Sequence, residues 1–144
     1  MTKKPTTKEL KGGLQQLTYE FNMLNSLAYI LAFNGNAQGV IHNALLESFL
    51  IHARTLIDFF YDEDPYSDDV IAAHFLAKEK WESIRPEKSQ LLGDVVTNAN
   101  KYLAHITYTR LQGKIKWPYM KIANQIEAIK NIFWEHLPKE FSVI

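Results

Sequence analysis

Between residues 10 and 31 the side chains Leu10, Leu14, Leu17, Phe21, Leu24, Ala28 and Leu31 recur at alternating four- and three-residue steps. That period lines them along one side of a helix and makes the packing seam of a coiled coil or helical bundle. Met23, Leu27, Tyr29 and Ile30 fall outside the seam, so the second half of this helix is apolar nearly all round. A helix of that kind is covered on two sides, which asks for more than two helices. The pattern predicts a helix over 7–33, capped by Thr6 or Thr7 with Glu9 in its first turn. Gly12 and Gly13 weaken its start, each by about 1 kcal/mol relative to alanine.

The rest of the chain supplies the partners. Asn34-Gly35-Asn36 is a turn signal, and a helix is predicted over 38–61 with Ile41, Leu45, Phe49, His52, Leu56 and Phe59 or Phe60 facing inward. His52, inside that stripe, reads as a satisfied core histidine in preference to a ligand. On a neighbouring face Glu47, Ile51, Arg54 and Asp58 share one line. Arg54 is then either a member of a surface ion-pair ladder, at about 0.2–0.5 kcal/mol per pair, or an arginine held in position by carboxylates. Residues 61–69 carry five acids and Pro65, which makes them a loop. They lack the alternating oxygen ligands, the central glycine and the terminal glutamate of a calcium-binding EF-hand loop. Asp68 or Asp69 can cap a short helix near 69–82 bearing Val70, Ala73, Phe75, Ala77 and Trp81, and the whole of 62–85 reads as a side excursion. A long helix follows over 86–112, beginning at Pro86 and burying Leu92, Val96, Ala99, Leu103 and Ile106. The last, over 118–137, buries Ile122, Ile126, Ile129, Phe133 and Leu137 and is stopped by Pro138. No strand pattern or repeat interrupts this series. The expectation is an all-α, antiparallel four- to five-helix bundle forming a single domain over 1–144, with 1–6 a loose lead-in.

Composition narrows the function classes. There are 16 basic and 16 acidic residues, so no overall field draws the molecule to nucleic acid or to an acidic membrane. Any phosphate contact has to come from a local patch, of which Lys114, Lys116, Trp117 and Lys121 make a modest one. The absence of cysteine removes disulfides, thiolate nucleophiles and cysteine-based metal centres together. The lysines of MTKKPTTKEL are followed by no apolar core of a secretory signal. The run Met23 to Phe33 falls short of the roughly 20 residues that span a bilayer. A soluble, cytoplasmic protein is expected. Glycine-rich phosphate loops, an HExxH pair and a serine elbow are all missing. The five histidines, at 42, 52, 74, 105 and 136, never fall three or four residues apart, so no single helix offers a two-histidine metal site. No metal or cofactor is expected.

What remains is a polar flank on the helix predicted over 86–112: Asp94, Asn98, Lys101, His105 and Tyr108, with Tyr102 alongside. From residue types alone, His105 is either a hydrogen-bonded packing residue or an acid/base group at the rim of a bundle. The run Asn100-Lys101-Tyr102-Leu103-Ala104-His105, followed by Tyr108, resembles the late-helix motif of the HEPN superfamily, an arginine, a few variable residues and a histidine, often R-N-x-L-V-H with a tyrosine shortly after. The histidine, the small aliphatic pair before it and the nearby tyrosine match. Asn100 stands where the motif has its arginine, and Tyr108 lies three residues after the histidine in place of two.

The resemblance implies a HEPN-like helical bundle and an RNA-directed protein of a prokaryotic toxin–antitoxin or defence type. It further implies a site near a homodimer interface and metal-independent cleavage through the ribose 2′-hydroxyl. In that reading His105 exchanges the proton and Tyr108 or Lys101 assists. Arg54, from another helix, is the candidate for the missing cation, and Asn100, Arg110, Lys114 and Lys116 would contact RNA. A histidine titrating near neutrality suits proton exchange, and an arginine suits a phosphorane. Members without the arginine are read as inactive RNA-binding or partner-binding forms. The alternative here is accordingly a non-enzymatic bundle that binds a protein partner. An accessible His105 with Arg54 or Arg110 in reach favours the first reading; a His105 buried against a carboxylate favours the second.

Overall fold

The computed structural model describes residues 3–33, 39–104, 106, 108 and 115–142. All of its regular structure is helical, and no strand occurs among the described residues. The chain opens on a reciprocal cap: Glu9 N donates to Thr6 Oγ1 at 3.2 Å, and Thr6 N donates to the Glu9 carboxylate at 2.7 Å. Those donors hold the Glu9 carboxyl below its usual range, the Thr6 backbone N–H first and its hydroxyl second. Helix α1 (Thr7–Phe33) follows, burying Leu14, Leu17, Phe21, Leu24, Leu27 and Ala28, with Leu10 and Leu31 partly covered. The seam read from the sequence is thus the buried seam. Tyr29, expected under a second layer, is exposed.

Helix α2 (Gly39–Tyr61) starts on Gly39, whose φ of +62° lies in the left-handed region that favours glycine. Its buried residues run from Phe49 to Tyr61. Ile41, expected in the stripe, is exposed, because cover over this helix begins only around Leu45 and Leu46. The turn read at 34–36 lies outside the described residues.

The segment after α2 departs from expectation. A short helix near 69–82 is replaced by a 3₁₀ turn at Ala72–His74 and a later helix, α3 (Lys78–Ile84). Asp69 does not cap a helix; its carboxylate accepts the Tyr66 N–H at 2.8 Å and closes a turn. Ala72, Phe75, Leu76 and Trp81 are buried, so 62–85 contributes directly to the core. The Trp81 indole and the Arg85 guanidinium both donate to the Phe60 carbonyl at 2.9 Å, satisfying an acceptor at the C-terminal end of α2.

Helix α4 (Gln90–Ala99) begins four residues after Pro86 and ends well before residue 112. Ser89 sets its start by accepting the Leu92 N–H at 3.2 Å, and its hydroxyl donates to Gln125 at 2.6 Å. Pro86 serves differently, its carbonyl accepting the Tyr61 hydroxyl at 2.8 Å. At Asn100–Ala104 the backbone widens into a π turn. Leu92, Val95 and Ala99 are buried and Val96 and Leu103 partly so, but Ile106 is 97 % exposed, against its expected place in the buried face. Helix α5 (Tyr119–Glu135) buries Ile122, Ala123, Ile126, Ile129 and Phe133. Beyond Pro138 a 3₁₀ turn at Lys139–Phe141 returns Phe141 to the core, 5.5 Å from Phe75 between ring centres.

Side-chain partners give the directions. Tyr19 meets His52 while Gly13 lies against Val70 in the segment that follows α2, Tyr61 meets Pro86 while Arg54 meets Asn100, and Phe21 meets Lys130 while Asn25 meets Glu127. Hence α1–α2, α2–α4 and α1–α5 are antiparallel neighbours. Phe49 packs on Tyr119 and Phe60 on Phe133, so α2 and α5 run parallel across the bundle. One hydrophobic cluster takes side chains from all five helices. No helix of the described residues is long and apolar enough to cross a membrane.

Two stability measurements check this packing. Phe133, fully buried, contacts rings from α2, α3 and the 62–85 segment. Phe133→Ala should cost about 3–5 kcal/mol in urea unfolding. The two early glycines should separate. Gly12 faces open space, whereas a Cβ on Gly13 would sit 2.9 Å from Val70 Cγ1. Gly12→Ala should therefore stabilise by about 1 kcal/mol, and Gly13→Ala should gain measurably less or lose.

Candidate functional site around Arg54 and Asn100

Arg54 projects from the side of α2 that faces α4, and its Nη1 donates to Asn100 Oδ1 at the first position of the π turn. Its Nε donates to Asp58 Oδ2, one turn on, at 3.4 Å. Both members of that ion pair are about two-fifths exposed, at 40 % and 41 %. The pair places Arg54 more than it stabilises the fold, since exposed pairs contribute about 0–1 kcal/mol. Asn100 suits its own place: half-buried at the end of α4, its N–H reaches back to the Thr97 and Val96 carbonyls while its side-chain oxygen accepts from the arginine.

Asp58 is perturbed. Burial pushes its carboxyl above the ordinary value and the nearby Asp62 carboxylate adds to that, while the Arg54 guanidinium opposes it. Three carboxylate-bearing elements converge here. A groove of about 560 Å³ crosses the outer face of α2, walled by α1 and residues 62–71, and Glu20, Asp58, Asp62 and Asp69 line it together with Arg54. Glu20 is held by His52, whose Nδ1 lies 2.5 Å from its carboxylate. The His52 side chain is 12 % exposed and its ring meets Tyr19 edge-on, so the histidine is partnered as a core histidine should be.

Of the residues singled out from sequence, the structure brings Arg54 and Asn100 into contact and sets Lys101 next to Asn100 on the π turn, with its side chain exposed. Tyr108 is 88 % exposed. Lys116 is exposed in the connector before α5. His105, Arg110 and Lys114 lie outside the described residues. Two participants escaped the sequence reading. Glu20 is the first: a histidine in an inward stripe signals the need for a partner but not which acid on α1 supplies it. Asp62 is the second, and its position in the acidic run carries no mark of the groove it enters. Among the described residues no three histidine, aspartate or glutamate side chains gather into a metal-holding group.

No protein-family model, curated protein or solved structure matches the chain.

The raised Asp58 carboxyl has a measurable consequence. A group whose pKa rises on folding stabilises the fold while protonated and loses that contribution as pH climbs through the raised value. Asp58→Asn stays neutral throughout. Its stability relative to the wild type should therefore be nearly unchanged in acid and increase as pH passes above the ordinary carboxylate range, read from paired urea unfolding curves. A flat difference would show that Asp58 titrates alike in both states.

Proposed function

We propose that the chain is an RNA-directed protein of HEPN-like type, of a prokaryotic toxin–antitoxin or defence system, in which Arg54 takes the part of the arginine that the motif places near its histidine. The observation that carries this is the hydrogen bond from Arg54 to Asn100. The motif position has lost its cation, and a cation from α2 reaches that same position. A second feature supports the reading: α4 changes from α to π geometry at Asn100, and such widened turns are frequent at functional sites.

The chemistry follows from the donors. With Nη1 on Asn100 and Nε on Asp58, the guanidinium is oriented before any ligand arrives, so a phosphate meets a pre-placed cation. Lys101, exposed on the same turn, adds positive charge beside it. Asp58 competes with the phosphate. In this reading His105 transfers the proton and Tyr108 assists, with no metal in the step, and two copies of the chain complete the site; sedimentation velocity at micromolar concentration should then show a dimer.

Incubation of the purified protein with mixed RNA, with and without a chelator, tests the proposal. RNA should be bound, and any cleavage should survive the chelator. Arg54→Ala should weaken RNA binding by about 10- to 100-fold, the loss of a charged hydrogen-bonding group, with little change in melting temperature. Asp58→Asn should tighten binding severalfold by removing the competing anion. Where cleavage is seen, His105→Ala should lower its rate by about 10²- to 10⁴-fold. RNA left both unbound and uncut, or bound equally by Arg54→Ala, would sink the reading.

A further inference from the structure

The groove over the outer face of α2 has a chemistry of its own, although Arg54 belongs to its lining. Its floor is apolar, with Ile71 half-exposed over the buried Leu17, Leu56 and Phe59, and Val70 packed closely against Gly13. Tyr66, 82 % exposed, and the partly exposed Val70 stand at its edge. Around that floor are four carboxylates, Glu20, Asp58, Asp62 and Asp69, against one guanidinium, that of Arg54. The guanidinium is already engaged by Asp58 and by Asn100, which is not a lining residue. The chain as a whole is neutral, so this negative field is local to the groove.

We propose that this groove receives an amphipathic, basic segment of a partner protein, its apolar side chains on the floor and its lysines or arginines against the acidic walls. Charge complementarity commits the occupant. Carboxylates on the walls repel a phosphate backbone, and apolar surface between them gives a bare cation nothing to hold. A segment with leucine-like anchors and flanking cations satisfies both parts of the surface at once. The walls are pre-set for it: His52 fixes Glu20, the Tyr66 N–H fixes Asp69, and the Asp64 N–H fixes Asp62. Thr55 lies exposed between the two walls, its hydroxyl turned back to the Ile51 carbonyl, and leaves the passage over α2 open.

The test uses the full chain and a fluorescein-labelled amphipathic peptide of leucine and lysine, followed by anisotropy. It should bind with a dissociation constant on the order of micromolar and lose affinity as salt is raised. The same peptide with glutamate for lysine, and a lysine peptide without leucine, should each bind at least about tenfold more weakly. Thr55→Arg, which places bulk and positive charge in the passage, should reduce binding by about tenfold or more. Asp62→Lys provides a second variant on the other wall, and circular dichroism verifies that each is folded. The proposal is overturned if the leucine–lysine peptide does not bind, if the glutamate peptide binds equally, or if both folded variants bind like the wild type. Displacement of the peptide by mixed RNA from the wild type but not from Arg54→Ala would likewise overturn it, since the groove would then be an RNA surface.

Discussion

The packing of Phe133 against the end of α2 is the contact on which the rest of this structure depends. Its ring meets Phe59 and Phe60 of α2, Phe75 of the 62–85 segment and Trp81 of α3 at centroid distances of 5.3–5.8 Å, all steeply inclined. Each such pair adds about 0.5–1.5 kcal/mol beyond the area it buries, so the cluster concentrates stability at one end of the bundle. Polar geometry locks the same point. The Phe60 carbonyl takes the Trp81 indole and the Arg85 guanidinium together, and Arg85 lies over the Tyr61 ring, 5.1 Å from its centre. A segment rich in acids and poor in regular structure is thereby fixed against the core by its few aromatic residues.

Fixing that end of α2 sets the direction of everything one or two turns earlier on the helix. Arg54 reaches the α4 seam and also edges the groove that Thr55 and Asp58 line, because the buried line through Ala53, Leu56, Ile57 and Phe60 leaves the flanks on either side of it. Asp58 belongs to both. It neutralises part of the Arg54 charge and carries part of the groove's negative field, and its pKa is raised by burial first and by the Asp62 carboxylate second, against the pull of Arg54. The two candidate surfaces are therefore separated by a single helix but share one ion pair. The partners proposed for them have opposite charge, and the Arg54–Asp58 pair lies where the two surfaces meet. Direct contacts at such a distance are felt strongly, whereas charges beyond about 8–10 Å are screened at physiological salt.

The seams of α1 and α5 were legible in the sequence because every member of each repeat has a neighbour to bury it; Leu14 to Ala28 and Ile122 to Phe133 follow the spacing without exception. Periodicity failed where the partner stopped. Ile41 and Ile106 continue their helices' apolar patterns, and both are exposed, since a spacing rule records which face a residue is on and not whether another element reaches that far. The short helix was misplaced for a related reason. Phe75 and Trp81 read as members of one stripe, but they enter the core from different turns, and the hydrogen bond that decides this comes from a carbonyl on α2. Arg54 was legible as a candidate, since its line along α2 with Asp58 can be counted off; the contact with Asn100 could not be, because it joins positions 46 residues apart.

The end of α4 is the case where local and long-range effects oppose each other most plainly. Leu92, Val96, Ala99, Leu103 and Ile106 would support a straight helix, and nothing between Gln90 and Ile106 is a proline or a late glycine that would break one. Yet the α geometry ends at Ala99. The change falls at the residue whose side chain is held by Arg54 and whose N–H is shared between the carbonyls three and four residues back. An asparagine competes with its own helix by offering side-chain hydrogen bonds in other geometries, and a charged donor from a neighbouring helix strengthens that competition. The departure from the sequence pattern thus falls on one residue, Asn100, whose side chain and N–H are both drawn out of ordinary α-helical bonding.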